Sequence, residues 1–450
     1  MKLSSSHLET IRQQLNLSTE EFCDRLKLKI NDYSLFIAVD DIQQISAHSM
    51  NILTSLMLEM EKENLIKYKE KFKIKSDGYF ANYKILKHLD KLAVLENSPL
   101  KASPITVEFH PTNLCDHACP ACTFSISERD KDKKKTSFDI SLLDTLIGDL
   151  KELDVRGIDI SGGGEPLLHE NIDQIIKKFS AVFNVGLVTN GQNLNNSNQA
   201  FSENIRKTIL ENCTWCRISV DAGSQEVYER MHGKRPNIQF SKIVDNVKLI
   251  ADEKLKTNSK ITLGVSFLLT PENFLDLIKS ICIFREIKGI DYFQIKPIVI
   301  PPAERITLSN MIFWDKRIFD AVSTAQAYEK RTFKIFTLSY KFADMLLNES
   351  IGLPFQKCWG HPFYPTISAD GSLLVCCFFL NALLEDRNSG VYGKIDFSNT
   401  FKKIWDSKER FDIGDKINVT LCPSNCKLSE TNKVLENFHE QQILHENFIN

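Results

Sequence analysis

Short apolar runs alternate with amphipathic segments through the middle of the chain. Within 138–153, Ile140, Leu143 and Leu146 fall on one helical face. Six runs rich in β-branched and aromatic residues predict strands, at 104–110, 157–161, 184–190, 216–221, 261–268 and 291–297. Six β-α repeats imply parallel strands joined by right-handed crossovers, in a doubly wound sheet or in a full or partial barrel. In either arrangement the active site lies at the carboxyl ends of the strands.

The first hundred residues have a different pattern. Apolar positions at helical spacing predict two short helices, and Ser18 with Glu21 three residues later has the sequence of a capping box. Residues 7–33 resemble the opening of repressor-type helix-turn-helix domains. The segment at the position of a recognition helix, 30–41, has three Asp and neither Arg nor Lys. Because a DNA-reading helix brings cations or amides to phosphates and base edges, we predict a protein- or peptide-docking module and expect no nucleic acid partner.

Composition and charge are those of a globular protein. The 450 residues are 42% hydrophobic and 25% charged, with a net charge of −2, so there is no bias towards nucleic acid or anionic membranes. The amino terminus lacks the apolar run of a secretory signal, and no stretch approaches the roughly 20 apolar residues of a membrane span. We expect a cytoplasmic protein without a membrane partner. In that reducing compartment its 12 cysteines indicate metal or redox chemistry rather than disulfides.

Three cysteines follow the first predicted strand in the spacing C-x3-C-x2-C, namely Cys115, Cys119 and Cys122. Three thiolates on one loop suit a [4Fe–4S] cluster in which one iron has no cysteine ligand. A zinc site would need a fourth ligand such as His110 or His117. An iron with an open coordination position can bind and activate a ligand, so the spacing favours a catalytic cluster.

A glycine-rich turn, Ser161-Gly162-Gly163-Gly164-Glu165-Pro166, follows the second predicted strand, where its glycines permit close backbone approach to a ligand. With the cysteine motif, it resembles the radical S-adenosylmethionine (SAM) superfamily, whose G-G-E-P turn holds the SAM amino group. The resemblance implies a partial (β/α)6 TIM-like barrel. It also implies SAM contacts from Gly163, Gly164, Glu165, Thr189, Ser219 and Arg230. For Arg230 the implied partner is the SAM carboxylate, and an ordinary surface position is the alternative.

The resemblance implies a reaction as well. A reduced [4Fe–4S] cluster cleaves SAM to methionine and a 5′-deoxyadenosyl radical, which removes a hydrogen atom from the substrate. The electron would come from a flavodoxin- or ferredoxin-type donor. No side chain is assigned a catalytic role. Lys296, at the end of the sixth predicted strand, is a candidate to face the substrate, with a strand-capping role as the alternative. Ala121 stands where the family usually has an aromatic residue, and Phe124 is the nearby substitute.

A second set of cysteines lies after residue 350 and comprises Cys358, Cys376, Cys422 and Cys426. Their spacing alone does not decide between zinc and a second cluster, and Asp370-Gly371 predicts a hairpin turn. The region resembles the SPASM/twitch extension that follows the barrel in many radical SAM enzymes. This implies an auxiliary [4Fe–4S] cluster held by all four thiols, with Cys376 preferred to Cys377.

Four regions result: a helical N-terminal domain over 1–100, a radical SAM core over 101–300, a linker or helical region over 301–350 and an auxiliary cluster domain over 351–450. Cys23 and Cys282 are expected to pack in the core. Two other functions compete, an iron–sulfur DNA-binding regulator and a zinc-stabilised binding protein. The substrate stays open between a peptide, a carrier-bound group and a sugar-like small molecule.

Overall fold

Two compact units make up the chain, Met1–Lys75 and Ser76–Asn450. The computed structural model describes residues 12, 18–26, 84–97, 101–124, 136–234, 238–299, 318–338, 340–342, 353, 355–380 and 388–440. In the first unit, helix α1 spans Thr19–Leu26 and begins with the predicted capping box. The Ser18 N–H donates to Glu21 Oε2 at 2.8 Å, and the Glu21 N–H donates to Ser18 Oγ at 3.1 Å. The segment 30–41 lies outside the described residues.

The second unit is built on one ten-stranded sheet, in the order β10-β9-β8-β1-β2-β3-β4-β5-β6-β7. Strands β1 to β7 are parallel to their neighbours, β8 runs parallel to β1, and β9 and β10 add antiparallel pairs. The strands are β1 Thr106–Phe109, β2 Gly157–Ile160, β3 Asn184–Thr189, β4 Trp215–Ser219, β5 Thr262–Leu269, β6 Tyr292–Pro297, β7 Lys334–Thr337, β8 Thr366–Ile367, β9 Ser372–Leu374 and β10 Val391–Lys394.

Helices follow the parallel strands and cover the sheet through apolar faces. In α4, Ile172, Ile175, Ile176 and Phe179 are buried, and the Phe179 ring lies 5.2 Å from that of Phe109 in β1. The helices of this unit are α2 Leu89–Asn97, α3 Leu143–Glu152, α4 Ile172–Ser180, α5 Gln199–Asn212, α6 Gln225–His232, α7 Phe240–Thr257, α8 Leu277–Arg285, α9 Phe319–Gln326, α10 Phe401–Trp405, α11 Lys408–Asp415 and α12 Ser429–Glu440. None of these described helices has the length and apolar composition that a membrane crossing needs.

The α/β fold class and all six predicted strands are confirmed, and over the described residues the barrel stays open. The region 301–350, predicted from the sequence as a linker or helical region, contains helix α9 and strand β7, which add a seventh parallel repeat to the six predicted ones. At the other edge, β8 joins β1, so the C-terminal segment extends the same sheet. Cys23 is buried as predicted, but the prediction for Cys282 is wrong, since this side chain is exposed.

Candidate functional site

A cavity of about 1020 Å³ lies against the parallel strands. Side chains alternate across a strand, so every second residue can face the same space. On β4 the lining residues are Trp215, Arg217 and Ser219, and on β6 they are Tyr292, Gln294 and Lys296. The cavity also reaches the cysteine loop after β1 and the glycine-rich turn after β2.

The cysteine loop brings Cys115, Cys119 and Cys122 to the cavity wall, where each is half-buried. A hydrogen bond from the Cys122 N–H to the Cys119 carbonyl, at 3.2 Å, keeps the loop compact. Burial raises the pKa of Cys119, and the neighbouring Cys122 and Cys115 thiols raise it further. The pKa of Cys115 rises to about 12, first through burial and then through Glu165. The three thiols therefore lie within electrostatic reach of one another.

A histidine that sequence reasoning missed contacts this loop. His232, the last residue of α6, has Nδ1 3.2 Å from Cys119 Sγ and Nε2 2.8 Å from the Val220 carbonyl. Together His117, Cys119 and His232 place three potential ligand atoms within 4.8 Å of one another. Because 113 positions separate His232 from Cys119, no local spacing signal could have revealed the pair.

The glycine-rich turn packs directly on the cysteine loop. The Glu165 N–H donates to the Leu114 carbonyl at 2.7 Å. A Cβ on Gly164 would lie 2.1 Å from that same carbonyl oxygen, so only glycine fits there. The nearest atom to a Cβ on Gly163 is His110 Nδ1, at 3.6 Å. A Cβ on Gly162 would lie 1.8 Å from the Gly164 carbonyl oxygen. Packing therefore demands glycine at positions 162 and 164, whereas Gly163 leaves space open.

Glu165 is buried and fixed by three donors. Its Oε1 accepts from the Leu167 N–H at 3.0 Å and the Thr189 hydroxyl at 2.5 Å, and its Oε2 accepts from the Asn190 N–H at 2.7 Å. Burial, followed by the Asp116 charge, raises the pKa of Glu165 to about 7. The hydroxyl of Thr189, a residue predicted to contact SAM, therefore donates its hydrogen bond to the Glu165 carboxylate.

Ser219 and Arg230 occupy different positions relative to the cavity. Ser219 lines the cavity, with its Oγ 3.3 Å from Ser266 Oγ. The Arg230 side chain is 47% exposed and pairs with Glu226 at 2.7 Å, one turn away on α6. Arg230 is not among the described residues that line the cavity, whereas Arg217 of β4 is.

The donor set fits an iron–sulfur cluster and SAM. Three thiols and a fixed carboxylate come from two neighbouring strand ends and meet at one cavity. His110 adds a buried Nδ1 that has no hydrogen-bond partner in the part of the chain that the structure describes, and it lies beside the open position at Gly163. Phe124 packs edge-on against His110, with ring centroids 5.2 Å apart, and lines the cavity with Ala121.

The four later cysteines, Cys358, Cys376, Cys422 and Cys426, pack in one apolar cluster with Phe355, Phe378, Val419 and Leu428. After burial, the Cys426 thiol is the largest cause that raises the pKa of each of the other three. The predicted hairpin is present, since Gly371 has φ +83° between β8 and β9. Cys377 instead lines the cavity, near Glu108 and Lys427.

A buried polar network joins the C-terminal segment to β1. Lys427 donates to Glu108, which also accepts from Ser161 Oγ at 2.9 Å and lies 3.1 Å from His110 Nε2. The Lys427 charge lowers the pKa of Glu108 against the opposing effect of burial. Beside this pair, the Tyr364 hydroxyl donates to Asp159 at 2.5 Å.

Comparisons with known proteins agree with the resemblance found in the sequence motifs. Residues 109–281 match the sequence model of the radical SAM superfamily. The chain is 23% identical over 340 residues to the GTP 3′,8-cyclase of Aquifex aeolicus (strain VF5). The aligned region covers 72% of this chain and 93% of that relative.

Solved structures of Streptococcus suis SuiB share the fold. SuiB bound to S-adenosylmethionine is 14% identical with a TM-score of 0.52, over 81% of this chain and 79% of that one. SuiB bound to precursor peptide SuiA is 12% identical with a TM-score of 0.53, over 94% and 87%.

Proposed function

We propose that the chain is a radical SAM enzyme that cleaves SAM reductively and removes a hydrogen atom from a substrate, since residues 109–281 match the sequence model of that superfamily. Cys115, Cys119 and Cys122 would hold the [4Fe–4S] cluster. The observation that carries the proposal is the contact between this loop and the Gly164-Glu165 turn, which brings thiols and a buried carboxylate to one cavity.

When bound, the cluster and SAM supply the 5′-deoxyadenosyl radical that the reaction needs. The chain's own residues position the cofactor and limit water. Gly163 leaves room for a ligand beside the backbone, and the Glu165 carboxylate, held by Thr189 and Asn190, would orient a SAM amino group. Ser219 would present its hydroxyl from β4, and Phe124 would shield the cluster side of the cavity.

We further propose an auxiliary [4Fe–4S] cluster in a SPASM/twitch-like region, held by Cys358, Cys376, Cys422 and Cys426. Support comes from the apolar cluster that these four thiols share, because four cysteines are the usual ligand set of such a cluster. Cys377 lies on the cavity side, which favours Cys376 as the ligand. With every iron ligated, the auxiliary cluster would relay an electron.

For the substrate, we favour a peptide or carrier-bound group, since SuiB, whose fold is similar, is bound to a precursor peptide. The electron donor would be of the flavodoxin or ferredoxin type, and the location cytoplasmic. A helical docking module in the first hundred residues, whose described helices are α1 and α2, would suit a tethered substrate.

The first test is anaerobic. The full chain is reconstituted with iron and sulfide, reduced and given SAM, and 5′-deoxyadenosine is measured by mass spectrometry. We expect 5′-deoxyadenosine from the wild type and none from Cys115→Ala/Cys119→Ala/Cys122→Ala. A protein that holds roughly eight irons, as two four-iron clusters require, and forms no 5′-deoxyadenosine would contradict the proposal and favour the iron–sulfur regulator.

The second test addresses the auxiliary cluster. Cys358→Ala/Cys376→Ala should halve the iron content and leave SAM cleavage largely intact, because the cluster that binds SAM has separate ligands. Cys377→Ala is the matched control and should keep full iron. Unchanged iron in the double variant, or halved iron in the control, would refute the assignment.

A further inference from the structure

Two lysines line the β6–β7 side of the cavity. Lys296 stands near the carboxyl end of β6 and Lys341 lies four residues after β7 ends at Thr337. Both are half-buried. They come from the edge of the sheet farthest in strand order from β1, whose following loop carries the three cysteines.

Comparable lysines elsewhere in the described chain have carboxylate partners. Lys91 lies 3.2 Å from Asp154, Lys254 lies 2.5 Å from Asp291, and Lys427 pairs with Glu108. Within the described residues, the ammonium groups of Lys296 and Lys341 have neither a hydrogen-bond partner nor a carboxylate within 4 Å. An ammonium group removed from water without an acceptor is costly, so a ligand that provides one would be favoured.

The carboxylates around these lysines have other partners. Asp221 Oδ1 accepts from the Leu268 N–H at 2.6 Å, and Asp159 Oδ2 accepts from the Tyr364 hydroxyl. Glu108 is occupied by Lys427, Ser161 and His110. Arg217, which donates to Gln294 at 3.0 Å, adds a third cation to the same wall. Lys296 and Lys341 therefore provide donors for an anion.

We propose that Lys296 and Lys341 form an anion subsite, and that the substrate carries a carboxylate or phosphate group that binds there. The inference rests on the proposed function, because the cavity is then the substrate site. The anion would anchor the substrate at β6 and β7 and leave its remaining part directed towards the SAM side of the cavity. The two lysines are specificity residues with no part in hydrogen abstraction.

Charge in the cavity supports the subsite. Burial, followed by the nearby Arg217 charge, lowers the pKa of Lys296 to about 7, and burial lowers the pKa of Lys341. The groups that face Lys296 are Arg217, Asp221, Lys341 and Asp159. Those that face Lys341 are Cys426, Lys427, Cys377 and Arg217, so the pH dependence is assigned to Lys296 alone. A bound anion would raise the pKa of Lys296 again. Anion affinity should thus be full below about pH 7 and fall by up to about tenfold per pH unit above it.

The experiment measures binding by the reconstituted full chain, with SAM present, through isothermal titration calorimetry at pH 6.5. The probes are inorganic phosphate and glutarate. We expect saturable binding of at least one probe, weakened about tenfold or more in Lys296→Met and in Lys341→Met, as loss of a charge-assisted hydrogen bond predicts. Lys207→Met, whose side chain is 71% exposed in the wild type, is the matched control.

The outcomes separate the sources of the anion. Binding of phosphate alone supports a phosphorylated substrate, and binding of glutarate alone supports a carboxylate. Binding of neither probe, or equal binding by wild type and the two cavity variants, overturns the inference. Iron content and 5′-deoxyadenosine formation are measured on the same samples. A refuted anion subsite can therefore be distinguished from a refuted SAM cleavage.

Discussion

At the scale of single residues, the environment of each predicted ligand decides how it can act. Cys119 is one of three similar thiols on the loop, and among the described residues it is the one with an imidazole nitrogen at 3.2 Å, from His232. The His232 ring is held in place by the Val220 carbonyl at 2.8 Å. A fixed hydrogen-bonding group beside a ligand sulfur tunes the electronic state of a cluster. His232 is therefore a positioning residue for the proposed cluster.

Replacing His232 should alter the cluster without removing it. In His232→Phe we expect three-thiol ligation to persist, with roughly wild-type iron. Because Nε2–H donates to the Val220 carbonyl, Nδ1 donates to the Cys119 thiolate when the ring is an imidazolium, in which both nitrogens are donors. The midpoint potential of the SAM-binding cluster should then fall in the variant, since hydrogen bonds to sulfur favour the reduced state. His232→Asn, whose amide can stand near the Nδ1 position, should recover much of the shift. The measurement is a redox titration followed by electron paramagnetic resonance. Equal potentials in all three proteins would show that the contact has no electronic effect.

At the scale of elements, the cysteine loop and the glycine-rich turn behave as one packed unit. The Glu165 N–H binds the Leu114 carbonyl, and the Asn113–Leu114 backbone occupies the space where a Gly164 side chain would be. The two motifs lie about 40 positions apart along the chain, but parallel pairing of β1 with β2 brings their carboxyl ends together. Neighbouring strand ends thus convert two sequence motifs into one site.

Neighbouring glycines of this turn should respond differently to alanine. Gly164→Ala places a Cβ 2.1 Å from the Leu114 oxygen, so we expect a loss of about 1–3 kcal/mol in the free energy of unfolding and poor cluster loading. Gly163→Ala, with its nearest neighbour at 3.6 Å, should fold and load iron normally and lose affinity for SAM. Urea unfolding, iron analysis and SAM binding distinguish the two. Comparable stability of both variants would contradict the packing argument.

At the scale of the whole second unit, the C-terminal segment is anchored to the strand that precedes the cysteine loop. Strand β8 pairs with β1, and Lys427 reaches Glu108 in the interior. The segment that carries the four later cysteines is thereby tied to the radical SAM domain. A buried ion pair is costly to break from one side, because the remaining charge stays buried.

Removing one partner of the Glu108–Lys427 pair should destabilise the fold more than removing both. We expect Lys427→Met to lose about 3–5 kcal/mol in the free energy of unfolding and Glu108→Gln/Lys427→Met to lose less. The pKa of Glu108 is lowered in the folded protein, chiefly by Lys427, so its stabilising contribution is present above its ordinary pKa of 4.5 and is lost as the pH falls. Urea unfolding at pH 7 and pH 4 checks both statements. A double variant with a lower free energy of unfolding than Lys427→Met would refute the pairing.

Local sequence patterns were sufficient to predict six strands, the capping box at Ser18 and the hairpin at Gly371. They also revealed the cysteine motif and the glycine-rich turn, which lie within the residues that the superfamily model matches. These features depend on side-chain periodicity and backbone conformation over a few residues, which the sequence by itself determines.

Only the tertiary structure decided the seventh strand and the attachment of β8 to β1, because whether a short segment forms a strand depends on the neighbouring strands against which it packs. It also brought His232 Nδ1 next to Cys119 Sγ. Arg230 pairs with Glu226 and is not among the described residues that line the cavity, whereas the Lys296 ammonium lines it without an ion-pair partner among the described residues. Each of these facts depends on which distant side chains packing brings together, and no local pattern encodes that.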